Sequence, residues 1–240
     1  LVRQPVCPAG LLCSADLSAA TATENTFDVN VAVLTSSDMQ EVIYSGALRP
    51  VLDIDFSDIA NPVIQTLDFA GVGGDIQHTD ATFNVPLGAA ILNGVQGRIE
   101  TFPGSSPAPV TGGNTYSSAD HEIIAWMGTI DIVPVVGSGT IINLMTNSFR
   151  SSLGGTNDST VNLTLNNITA GIATYDLELI TPLQNVQLQT GNGTIDTAIT
   201  ITIDGNLVAR GQITRAVPEP TSLTLLAGLT ILIHLRRQRS

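Results

Sequence analysis

The stretch Ile199-Thr200-Ile201-Thr202-Ile203-Asp204-Gly205, with the run from Leu207 to Ile213 behind it, decides the fold class. Isoleucines two residues apart, separated by threonine and aspartate, put every apolar side chain on one face of an extended strand. A helix would scatter them around its axis. Asp204-Gly205 is a favoured two-residue turn, so the runs on either side are expected to fold back on one another as a hairpin.

The same period recurs along the chain. Phe27, Val29, Val31 and Val33 alternate with Asp28, Asn30 and Ala32, and Val161, Leu163 and Leu165 alternate with Asn162 and Thr164. Further strands are expected over residues 41–56, 63–69, 81–85, 91–102, 122–133, 140–148, 174–180 and 186–190. Gly71-Val72-Gly73-Gly74 and Gly154-Gly155-Thr156-Asn157 punctuate them. Roughly a dozen short strands with no amphipathic helix predict an all-β fold, an antiparallel, jelly-roll-like β-sandwich over residues 23–216. The Pro/Gly/Ser-rich stretch 103–118 reads as a long loop of one sandwich or a linker between two small sheets. The loop is preferred, because neither half alone has a complete set of strands.

The chain has 240 residues, 21 Asp+Glu and 9 Lys+Arg, and only 12 % of it is charged. All nine bases are arginine, and Arg236, Arg237 and Arg239 fall in the last five positions. Residues 1–216 therefore carry 20 acids and 6 arginines, a balance of −14. Such a surface repels a phosphate backbone, which excludes nucleic acid as an expected partner.

The C-terminal text has its own pattern. Val217-Pro218-Glu219-Pro220-Thr221-Ser222 cannot continue a strand or helix, because two prolines flank the glutamate, and is expected to be an exposed hinge. An uncharged segment follows, apolar at Leu223, Leu225, Leu226, Leu229, Ile231, Leu232, Ile233 and Leu235 and closed by the arginines. As a helix from Pro220 to Leu235 it would measure about 24 Å, short against a hydrocarbon core of about 30 Å, but long enough with snorkelling arginines and local thinning. A single transmembrane helix is expected, with Arg236, Arg237 and Arg239 on the cytoplasmic side and the acidic body across the membrane. The alternative of a buried C-terminal helix lacks a polar stripe.

This motif, apolar segment and arginine cluster resemble the PEP-CTERM sorting signal of Gram-negative bacteria. The resemblance covers residues 217–240 and implies export, brief anchoring in the inner membrane and processing near Pro218-Glu219-Pro220 by an exosortase. It further implies a setting of exopolysaccharide and biofilm, hence a place at the cell surface or in the extracellular matrix. A lipid-anchor signal would end apolar, and a sortase signal would need Leu-Pro-x-Thr-Gly.

Residues 1–22 read as a leader or degraded signal peptide, with a weakly apolar stretch from Val6 to Leu12 and a small-residue site at Ala20-Thr21-Ala22. A disordered leader is the alternative. Cys7 and Cys13, the two cysteines, both lie in it.

Chemistry in the body is sparse. Asp120-His121-Glu122 flanks an imidazole with carboxylates, which in a cleft would orient a general base; the alternative is an ordinary strand-start histidine. Asp53 and Asp55 share a strand face and are candidates for a carboxylate pair or a calcium site, against a plain polar face alternating with Leu52, Ile54 and Phe56. Trp126, the sole tryptophan, is expected in the core. With no nucleophile elbow or zinc motif, no catalytic residue and no cofactor are expected, calcium being the one candidate ion. The resulting expectation is a non-catalytic exported surface or matrix protein. The alternatives are a carbohydrate-binding module, or a hydrolase using Asp53, Asp55, His121 or Glu122, which would require those four to converge.

Overall fold

The computed structural model describes residues 11–17, 25–33, 36–69, 74–86, 88–156, 158–190 and 199–217. Leu11–Leu12 (β1), Ala15–Asp16 (β2), Thr26–Val33 (β3), Ser36–Leu48 (β4), Val51–Asp55 (β5) and Val63–Asp68 (β6) come first. Gly74–His78 (β7), Ala81–Val85 (β8), Gly88–Thr101 (β9), Ala108–Pro109 (β10) and Thr115–Tyr116 (β11) follow. The last are His121–Pro134 (β12), Thr140–Asn143 (β13), Phe149–Ser152 (β14), Ser159–Thr169 (β15), Ile172–Thr190 (β16) and Ile199–Ala216 (β17). The body is all-β and every pairing is antiparallel.

Five long strands carry the architecture, and short ones share lanes between them. Pairing runs from β16 to β17, β3, β4, β7, β9, β12 and β14 and returns to β16, so the main sheet closes on itself. Closure removes edges that would otherwise seek partners. The smaller sheet, ordered β1-β5-β6-β10, meets the large one near the first residues of β12 and β16. There Phe69 meets His121, and Phe56 meets Tyr175, whose hydroxyl donates to Ile59 O at 3.0 Å. One contiguous apolar core joins both sheets. The stretch 103–118 supplies β10 to the small sheet and β11 to the large one, which makes it part of a single body.

The strand boundaries expected from the sequence need correction at several points. Asp204-Gly205 is no hairpin turn, because β17 runs straight through it. Gly205 pairs with Leu183 on one side and Phe27 on the other, so neighbours on both flanks hold it extended. A Cβ there would lie 2.9 Å from Thr26 O, and the backbone sits at φ +147°, so glycine serves close approach. The runs 174–180 and 186–190 likewise form one strand, with a register shift between Leu183 and Val186. By contrast, the run 41–56 breaks at Arg49-Pro50, where the chain changes sheets.

Of the expected leader, residues 1–22, residues 1–10 and 18–22 lie outside the described residues. Segment 11–17 belongs to the body: β1 pairs with β5, and β2 lies between β17 and β4. Cys13, Ala15 and Leu17 are core residues, and burial raises the Cys13 thiol to about 11, which keeps it unreactive. A leader removed at Ala22 would take β2 out of the main sheet.

β2 and β3 occupy one lane between β17 and β4, and buried Asn25 bridges the junction. Its Nδ2 donates to Leu17 O at 2.7 Å and Val208 O at 2.9 Å, and its Oδ1 accepts from Val208 N at 2.7 Å. Its φ of +56° is a conformation asparagine tolerates better than most residues. Asn25→Ala strands these backbone groups in the core and is expected to cost about 3 kcal/mol, measured by urea unfolding; a loss below about 0.5 kcal/mol would contradict this role.

Candidate functional site

Val217, the first residue of the expected sorting motif, ends the described structure. It packs half-buried against the core, and its N–H donates to Gly171 O at 2.7 Å. Pro218 to Ser222, the apolar segment from Leu223 to Leu235 and Arg236, Arg237 and Arg239 lie outside the described residues. The expected transmembrane helix lies there too. Among the described residues, no helix is long and apolar enough to cross a membrane.

Asp53 and Asp55 stand on the outer face of β5, with Leu52, Ile54 and Phe56 buried beneath. A register shift follows Asp53, and Asp55 accepts from Ser57 N at 2.8 Å. Among the described residues, no group of three His, Cys, Asp or Glu side chains could hold a metal ion. A calcium shell takes six to eight oxygens, and among the described residues no third such side chain joins Asp53 and Asp55.

His121 is fully buried, with its ring edge-on to Phe69 at 5.1 Å and Tyr116 at 5.4 Å. Nδ1 lies 3.0 Å from Thr101 Oγ1, which also accepts from Phe69 N at 2.8 Å. Burial lowers the imidazole to about 4 against the pull of Asp120, Asp68 and Asp158, so it is neutral at pH 7 and sealed from substrate. Glu122, the next residue, points to the opposite side of β12. The four candidates for a hydrolase do not converge.

Trp126 is half-buried outside the contiguous core, with the Arg98 guanidinium carbon 5.6 Å from its ring centroid. Register shifts between Ala125 and Met127, and between Met127 and Thr129, break the alternation that suggested burial. Glu122 lines a cleft of about 470 Å³ with Phe102, Arg150, Gln184, Asn185 and Gln187, and its carboxylate lies 3.5 Å from Arg150.

An open concavity on the main sheet was not expected from the sequence. On the outer face of β15, β16, β17 and β2, register aligns Asn162, Glu178, Arg210 and Asp16 in one row. Thr164, Asp176 and Gln212 form the next. Arg210 Nη2 lies 2.9 Å from Glu178 Oε1, and Asp176 accepts from Gln212 and Asn166, each at 2.8 Å. These rows floor an open groove of about 850 Å³. Planar carboxylates, amides and guanidinium in ordered rows offer paired donors and acceptors to a polyhydroxylated chain. The only local signal was the polar half of each alternation. Within the closed circuit, an apolar cavity of about 30 Å³ touches His78, room for little more than a water molecule.

No family model, curated protein or solved structure matches the chain.

The buried imidazole makes stability pH-dependent. The unfolded chain binds a proton at His121 below about 6.5, whereas the folded one resists until about 4, so stability is complete above 6.5 and falls as pH drops through that window. Urea unfolding at pH 7.0 and 4.5 should show His121→Phe losing about 2–3 kcal/mol less than the unsubstituted chain. Equal losses would contradict a neutral, buried His121.

Proposed function

We propose that this chain is an exported, non-catalytic cell-surface or extracellular-matrix protein, sorted through its C-terminal segment by an exosortase. One observation carries the reading: β17 ends at Ala216 and the last described tie to the body is at Val217, where the sorting pattern begins. β17 thus ends two residues before Pro218-Glu219-Pro220, near which processing is proposed. In this reading Leu223 to Leu235 form a single membrane helix, Arg236, Arg237 and Arg239 remain cytoplasmic, and a jelly-roll-like body waits in the periplasm before release. The exosortase and, transiently, the inner membrane are its partners; nucleic acid is not. Glu219→Ala, expressed with a matching exosortase, should abolish tail removal and leave the protein in the membrane fraction. Undiminished release from the variant would count against sorting by this motif.

A second reading rests on the polar groove: the body holds extracellular polysaccharide there as a carbohydrate-binding module. Sugar rings commonly stack on aromatics, and no aromatic residue lines this groove, so recognition would be by hydrogen bonding alone. In native gels cast with the host's exopolysaccharide, the chain should be retarded and Arg210→Ala should run freely. Equal mobility with and without polymer would dispose of this reading.

A further inference from the structure

The hairpin of β12 and β13 departs from the rest of the surface. From Ile132 to Phe149 there is no Asp, Glu, Arg, Lys or His, in a protein of net charge −12. Its large apolar side chains stand in solvent: Val135 is 75 % exposed, Val136 88 %, Ile141 70 % and Met145 69 %. β13 pairs with β12 from Thr129↔Asn143 to Ile132↔Thr140, and its other edge pairs with no strand among the described residues. Ile142 is buried in the core cluster with Ile130, which fixes the register and leaves Ile141 facing outward. Exposed edges are ordinarily guarded by charge, proline or a bulge. β13 has no charge and no proline.

We propose that β13 is a seam at which two copies of this chain join, edge to edge and antiparallel, with Ile141 of each copy packed near the two-fold axis. Three arguments select a second copy. An antiparallel edge is complementary to itself under a two-fold rotation, so one strand supplies both halves of the ladder. Two copies at −12 repel over most of their surfaces, and the stretch 132–149, which carries no charge, is where that repulsion is weakest. The nearest charge, Asp131, lies across from Ile141 on β12 and accepts from Asn93 Nδ2 at 3.0 Å. A lipid surface would cover the apolar side chains but leave the edge N–H and C=O groups without partners.

Register also places the seam away from the tail. β12 is level with the upper end of β16 at Ala125, through Phe149 and Thr190, and runs on from there to the hairpin. Val217 lies at the other end of β16, beside Gly171. Two copies can thus join without covering Val217, and the seam does not depend on the sorting proposal.

The test is the mass of the full chain in detergent micelles by analytical ultracentrifugation, across a dilution series. The unsubstituted chain should reach a dimer and stop there, and Ile141→Lys should stay monomeric with unchanged circular dichroism. In a Cys7→Ser background, with Cys13 buried, Ile141→Cys should give a disulfide-linked dimer on mild oxidation. A monomer at every concentration would overturn the seam. So would a dimer that survives Ile141→Lys, since it would report association through the apolar tail. Flotation of a monomeric chain with phosphatidylcholine vesicles, lost in Ile141→Lys, would assign the hairpin to lipid instead.

Discussion

The antiparallel pairing of β16 with β17 is the constraint on which the rest depends. It runs from Ile172↔Ala216 to Leu183↔Gly205 and, after a shift, from Val186↔Ile203 to Leu188↔Ile201. Its inner face supplies Tyr175, Leu177, Leu179, Leu207 and Ala209 to the core, while its outer face carries Asp176, Glu178, Arg210 and Gln212. Because β17 also pairs with β3 and β2, and β16 with β14 and β15, this ladder closes the main sheet. The same ladder sets the level at which β17 ends, since Ala216 pairs beside the β15–β16 turn.

Charge is distributed in keeping with that frame. Arg98, Arg150 and Arg210 lie 2.7, 3.5 and 2.9 Å from Glu100, Glu122 and Glu178, and Arg215 covers the Phe56 ring at 4.3 Å. Such partly exposed pairs contribute about 0–1 kcal/mol each, so they organise the surface more than they stabilise it. With these bases engaged, the excess negative charge resides largely on aspartates. That excess favours separation of copies, and least so along residues 132–149, which carry no charge.

The fold class was legible because period-two alternation is written locally and survives in β3, β8, β15 and β17. What failed to show was decided by partners distant in sequence. Asp204-Gly205 carries a turn signal, yet Phe27 and Leu183 pair with Gly205 from both sides and keep the chain straight. β1 and β2, at two residues each, are too short to display a period, so the leading segment resembled a leader. Trp126 sits among register shifts that invalidate inference from its neighbours. The burial of His121 comes from Phe69, Tyr116 and Thr101, none of them adjacent to it in sequence. The groove needed the register of four strands, which no stretch of sequence contains by itself.

The sorting proposal and the body meet at Val217, and both ends of the chain bear on it. The most direct measurement is the intact mass of the protein recovered from the surface of exosortase-bearing cells. The expected species retains residues 11–17, which supply β1 to the smaller sheet and β2 to the main one, and ends between Val217 and Ser222. A species that has lost residues 11–17, or one still carrying Arg236, Arg237 and Arg239, would contradict a body that includes β1 and β2 and is released beyond the end of β17.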